Sequence, residues 1–198
     1  MKIMRRKLLI LALLLCTGSV SLWAQPKQVD RSLERAISLY DLGHWIEART
    51  EFQRVREGLS AVHDRFHIEK IDYYRALCDS QLKLSDAEGR MKRYLAEYGG
   101  SAYANDVQFG LGAHYCMVGD DVKAEMELKK VDYRTLSPAQ KDQYDLRMGY
   151  MAFKSGDYPD AERYFSRIVP TSEYADHATY YKSYMAYARG DYDVARNG

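Results

Sequence analysis

Proline is scarce in this chain, at 4 of 198 residues, and that shortage argues against a loop-rich fold. An excess of charge of either sign is also missing: 29 Lys and Arg stand against 28 Asp and Glu, leaving +1, so no basic surface recruits nucleic acid. No serine, threonine or cysteine sits in a recognisable nucleophile motif, and no glycine-rich loop could cradle a phosphate. Carboxylates are plentiful, but they are spread along amphipathic segments as surface charge. The sequence therefore gives no sign of an enzyme. What it has in excess is tyrosine, 18 residues, within a globular composition of 46% apolar and 29% charged residues. Many large amphipathic rings and little proline predict helices packed through tyrosine.

The first 24 residues stand apart. A basic head (Lys2, Arg5, Arg6, Lys7) precedes an apolar run from Leu8 to Cys16 and a small polar stretch ending at Ala24, the three parts of a secretory signal peptide. Cleavage after Ala24 is expected. A lipoprotein signal ending at Cys16 has Leu15 where a small residue should stand. An uncleaved anchor over Leu8 to Ala24 offers only 17 uncharged residues, marginal for a span of roughly 20. Removing the leader takes the formal charge from +1 to −3. It also leaves Cys78 and Cys116 in an oxidising compartment, where a bridge is possible. Each falls inside an expected helix, which favours two buried thiols, and their spacing fits no metal motif.

A phrase recurs in which glycine is followed two residues later by a bulky residue and five residues later by alanine. It appears at Gly43, Trp45 and Ala48, at Gly119 and Ala124 with Asp121 in the bulky slot, at Gly156, Tyr158 and Ala161, and at Gly190, Tyr192 and Ala195. A glycine-free copy surrounds Ala87. The alanines are 39, 37, 37 and 34 residues apart, a period suited to a helix-turn-helix repeat. Before the glycine, apolar and small residues recur at helical spacing, as in Phe109, Leu111, Gly112, Tyr115 and Cys116 or Leu146, Met148, Gly149, Tyr150 and Phe153. After it, a second helix is expected to carry Ala124, Leu128 and Val131, or Ala161, Phe165 and Ile168. The glycine ends the first helix by taking left-handed backbone angles. Small residues at Ala36, Gly112, Gly149 and Ser183, set against the alanines, are expected to let paired helices approach. Phe52, Met91, Leu128 and Phe165, four positions past each alanine, are expected to fill the space between units.

These positions resemble the tetratricopeptide repeat family, whose motif asks for Leu-Gly-x-x-Tyr, a turn glycine, a tyrosine, an alanine and a phenylalanine. Leu111, Gly112 and Tyr115 with Gly119 and Ala124 match it, and Gly156, Tyr158, Ala161 and Phe165 match it more fully. The unit around Ala87, with Leu84-Ser85-Asp86 in place of a glycine, departs from it. The resemblance implies an all-α fold, an α-α superhelix of antiparallel helix pairs over residues 25–198. The units run 30–62, 63–103, 104–137, 138–171 and an incomplete 172–198. The connectors carry Ser101 and Ser172 as expected N-caps, and Ser137-Pro138-Ala139-Gln140 as an expected capping box. Such connectors and long repeats are similar to those of exported members, the outer-membrane assembly lipoprotein and the periplasmic cell-division coordinator. The last unit stops one residue short of its large residue, and a solenoid needs a capping helix. That predicts a longer protein, whose further part could carry another activity.

In this family the first helices line a concave face, and the matching positions are Phe109 and Ala113, then Leu146, Tyr150 and Phe153, then Tyr180, Tyr184 and Tyr187. Tyrosine suits binding, because it offers contact area and a hydroxyl at little entropic cost. The same rings could instead pack against a further repeat. The resemblance thus implies an adaptor in the periplasm, holding a protein or peptide partner and reaching the outer membrane through it, with no cofactor. His63 and His67, four residues apart near Asp64 and Glu69, have zinc-like spacing, but no third ligand is identifiable and a solvated helix end is the simpler reading. His44, His114 and His177 are isolated, with His114 expected to face a neighbouring helix.

Overall fold

The computed structural model describes residues 21–60 and 64–197, with side chains for 28–60 and 64–196. Ten α-helices and one short 3₁₀ turn occur there, and no strand is found among the described residues. The helices are α1 (Ser21–Asp41), α2 (Trp45–Glu57), α3 (Arg65–Gln81), α4 (Ala87–Tyr98) and α5 (Ala104–Val118). They continue as α6 (Asp121–Leu128), α7 (Pro138–Ser155), α8 (Tyr158–Phe165), α9 (Ala175–Ala188) and α10 (Tyr192–Asn197). The expected leader, with Cys16, lies almost wholly outside the described residues. Helix α1 runs through the expected cut after Ala24. His63 is likewise outside them.

The chain divides into two compact units at Cys78 and Asp79. In the first, α1 packs on α2 around Leu33, Ala36, Ala48, Phe52, Val55, Ile71 and Cys78. Phe52 stacks on Tyr74 at 5.1 Å between ring centroids, and Tyr40 meets the same ring edge-on at 5.2 Å. In the second unit the consecutive pairs are α5 with α6, α7 with α8, and α9 with α10, and successive pairs also touch. Ala87, Met91, Leu111, Ala124, Leu128, Ala161 and Phe165 are all buried there.

One turn recurs between paired helices, and its hydrogen bonds explain the glycines. Gly43, Gly119, Gly156 and Gly190 have φ between 78° and 82°. In each, the glycine N–H donates to the carbonyl three residues back, and the next N–H donates to the carbonyl five back. That is a Schellman closure, which satisfies carbonyls the helix end would leave bare. After Gly119, Gly156 and Gly190 an aspartate then opens the next helix, whereas His44 follows Gly43 and makes no side-chain cap. Asp120 and Asp157 side chains accept from Lys123 N–H and Asp160 N–H, N-caps that satisfy otherwise bare amides of the first turn. The glycine-free copy builds the same turn on Lys83, φ 53°, whose N–H donates to Ser80 while Leu84 N–H donates to Asp79. It is one residue shorter, and the start of the next helix absorbs the deficit. Ala87 N–H reaches three residues back to Leu84, whereas Ala48, Ala124, Ala161 and Ala195 reach four.

Several sequence expectations need correction. Helices α6 and α8 end at Leu128 and Phe165, so Val131 and Ile168 are buried from the segments beyond them. Ser101 and Ser172 are not N-caps. Their hydroxyls accept from Tyr103 N–H and Tyr174 N–H within a turn that precedes the helix, and those tyrosines occupy the cap position. Gly112 and Gly149 face the large residues of their own pairs rather than the alanines. A Cβ at Gly112 would lie 2.6 Å from Leu128 Cγ, and one at Gly149 would lie 2.6 Å from Phe165 Cε1. Phe165 also stacks on Tyr181 of the following helix, at 5.2 Å and 10°, so it fills both its own pair and the next. Ala195 is only half-buried, unlike the other four alanines. The capping box at Ser137 and Gln140 is present with both arms.

Candidate functional site

Helices α7 and α9 of the second unit bring most of the candidate groove residues together. Leu146, Tyr150 and Phe153 recur four and three apart along α7, one stripe of that helix. Leu146 and Phe153 are half-buried against the core of Ala161, Phe165, Ala178 and Met185. Tyr150 is 38% exposed, and on α9 Tyr180, Tyr184 and Tyr187 are 64%, 48% and 63% exposed, so these four rings are presented to solvent. Phe109 is not. It is buried, with the Arg147 guanidinium 5.9 Å from its ring centroid, and belongs to the packing of α5.

What joins the two helices is Tyr181, which the spacing of the tyrosine stripe passes over. Its ring lies 5.7 Å from Tyr150, 5.1 Å from Phe153 and 5.2 Å from Phe165. Tyr184 meets Phe153 edge-on at 5.3 Å, and Tyr187 meets Tyr192 at 5.4 Å. Beside this cluster a cavity of about 200 Å³ opens, lined by Leu146, Tyr150 and Tyr181 on its apolar side and by Cys116, Asp121, Arg147 and His177. Asp121 forms an ion pair with Lys154, whose ammonium also stands 5.7 Å from the Tyr150 ring. Burial pushes the Cys116 thiol up, with Arg147 opposing in part. A protonated thiol is a poor nucleophile, so the lining suits contact more than attack.

No family model matches the chain, and no curated protein is significantly similar to it. The site has to be read from its own chemistry.

His67 Nε2 pairs with Asp30 Oδ1 at 3.0 Å. Among the described residues no three His, Cys, Asp or Glu side chains are grouped to hold a metal ion. Cys78 and Cys116 each carry a thiol, the first buried and the second half-buried. His114 is buried, and burial lowers its pKa while Glu88 opposes that. No helix among the described residues is long and apolar enough to cross a membrane.

Two buried carboxylates went unrecognised in the sequence. Asp79 pairs with Arg90 of α4. Asp145 accepts from the Tyr133 hydroxyl at 2.6 Å and lies 3.4 Å from an Arg167 nitrogen. Burial pushes the Asp145 carboxyl up, against the pull of both partners. The Asp145 contacts pin the 3₁₀ turn Tyr133–Thr135 and the turn just past α8 onto α7. The signal was readable, since Asp145 lies on the same helix stripe as buried Met148 and Gly149, where a charge needs partners.

Proposed function

We propose that the protein is an exported tetratricopeptide-type adaptor that holds a segment of a partner protein on the aromatic face of α7 and α9. The observation that carries this reading is the exposure of Tyr150, Tyr180, Tyr184 and Tyr187 in continuity with the cavity beside Tyr181. Exposed large rings gathered on one face mark a contact surface, because isolated apolar side chains scatter while binding patches cluster. The repeat reading is supported by five equivalent closing turns and by a buried alanine with a buried large residue four positions on, in four successive units. Export is supported by the three-part leader of residues 1–24. The partner then belongs to the cell envelope, and an outer-membrane association would run through it. No cofactor and no bond-making step enter this reading.

The test is site-specific crosslinking in the intact envelope, with the full chain compared against Tyr150→Ala combined with Tyr184→Ala. Capture of a defined partner is expected to fall sharply in the double variant while helicity and melting stay nearly unchanged. Loss of stability in place of capture would assign those rings to the core, and undiminished capture would move the contact elsewhere.

A further inference from the structure

We infer that the segment held on α7 and α9 carries a carboxylate next to a large apolar side chain, the apolar group entering the cavity and the carboxylate meeting Arg147. This rests on the reading of that face as a partner-holding surface and adds the chemistry of what it holds.

Size is the first argument. At about 200 Å³ the cavity is smaller than the roughly 300–1,000 Å³ of pockets that enclose a small molecule. It suits one side chain of a longer ligand. Leu146 and the rings of Tyr150 and Tyr181 give that side chain an apolar surround. Outside the cavity the exposed rings of Tyr180 and Tyr184 continue the surface, which a segment uses and a small molecule does not.

Charge is the second. Asp121 is already neutralised by Lys154. Arg147 is not matched in the same way. Its Nη1 donates to the Gln143 carbonyl at 3.3 Å and to Gln143 Oε1 at 3.2 Å, and it also stands by the Phe109 ring and the Cys116 thiol, none of them an anionic partner. Among the described residues no carboxylate lies within ion-pair distance of it. A guanidinium has five N–H donors in a planar fork that matches a carboxylate, so this one keeps donors to offer a ligand at the cavity it lines. A lysine or arginine on the ligand would meet a like charge there, whereas glutamate or aspartate completes the pair.

The experiment uses end-blocked, fluorescent nonapeptides of glycine and serine. Each bears one phenylalanine and, one to three residues from it, glutamate, glutamine or lysine. Binding to the full chain is measured by anisotropy at low and high salt. The glutamate series is expected to bind about tenfold more tightly than the glutamine series, with the lysine series weakest. The advantage should shrink in high salt and vanish in Arg147→Gln, while Arg147→Lys restores part of it. The glutamine series serves as internal reference, because the quantity compared between the wild type and each variant is the ratio of glutamate to glutamine affinity, which a general loss of binding does not move. Equal binding of glutamate and glutamine, stronger binding of lysine, or a preference that survives Arg147→Gln would overturn the inference and leave the adaptor reading standing. Binding of 3-phenylpropionate alone as tightly as the best peptide would overturn it in favour of a small-molecule site. Failure of every peptide to bind would sink both readings together.

Discussion

Gly149→Ala isolates the contact on which the α7–α8 pair depends. Two effects oppose each other. Replacing a helical glycine by alanine gains about 1 kcal/mol of helix propensity. Against that, the new Cβ would lie 2.6 Å from Phe165 Cε1, 2.8 Å from Cδ1 and 3.0 Å from Cζ, where ordinary carbon contacts need about 3.5–4.0 Å. The Phe165 ring has to slide by about 1 Å, and it is fully buried with Tyr181 stacked on it at 5.2 Å. Overpacking of this kind costs about 1–3 kcal/mol, so the net expectation is a loss of about 1 kcal/mol. Urea unfolding followed by far-UV circular dichroism reads the change. Adding Phe165→Leu should relieve the clash, giving a favourable coupling of about 1 kcal/mol in a double-mutant cycle. Gly112→Ala is expected to cost more than Gly149→Ala. Its Cβ would lie not only 2.6 Å from Leu128 Cγ but 3.2 Å from the Leu128 backbone nitrogen, which has less room to yield. Gly100→Ala, with no atom within 4 Å of its Cβ, is the control and should be within about 0.5 kcal/mol of wild type. A Gly149→Ala variant stabilised by the whole propensity gain, with no coupling to Phe165, would refute the close approach.

Two further outcomes follow from the same geometry. Lys83→Gly should stabilise the protein by about 0.5–1 kcal/mol, because Lys83 alone among the five turns holds a left-handed φ without being glycine; a destabilised variant would show that the lysine side chain has a role the turn does not need. Burial depresses the His114 pKa below its ordinary 6.5, with Glu88 opposing, so the unfolded chain binds the proton more readily than the folded one. The contribution of His114 is complete above pH 6.5 and is lost as pH falls below it, and His114→Leu should flatten the thermal stability profile between pH 7 and about pH 5; a wild-type profile already flat there would contradict the assignment.

The helix pairs were legible because their signals are local. A glycine needed at left-handed φ, an alanine five residues on and a large residue four beyond it recur at spacings of 34 to 39 residues. The irregular second copy was legible only in part. Its alanine and Met91 keep their buried places, but the substitution of Lys83 for glycine and the tightened entry to α4 are compensations within backbone hydrogen bonding that residue types do not announce. The serine caps were misplaced for a related reason. A serine two residues before the cap position and a serine at that position look alike in sequence, and only the hydrogen bond from Tyr103 or Tyr174 tells them apart.

The candidate site was less legible, and tyrosine is the cause. Its ring stabilises a core and its hydroxyl tolerates water, so composition and spacing give the same pattern for a packed tyrosine and a presented one. On α9 the neighbours Tyr180 and Tyr181 differ completely. The first is 64% exposed, while the second stacks on Phe165 and closes the apolar side of the cavity. Which of them faces inward is fixed by where Phe165 sits, and Phe165 sits where Gly149 leaves room for it. A residue on α7 with no side chain therefore sets which ring of α9 forms the cavity wall. Filling that space should displace Phe165 and Tyr181 together, so Gly149→Ala ought to weaken peptide capture at Arg147 by more than its effect on stability would account for.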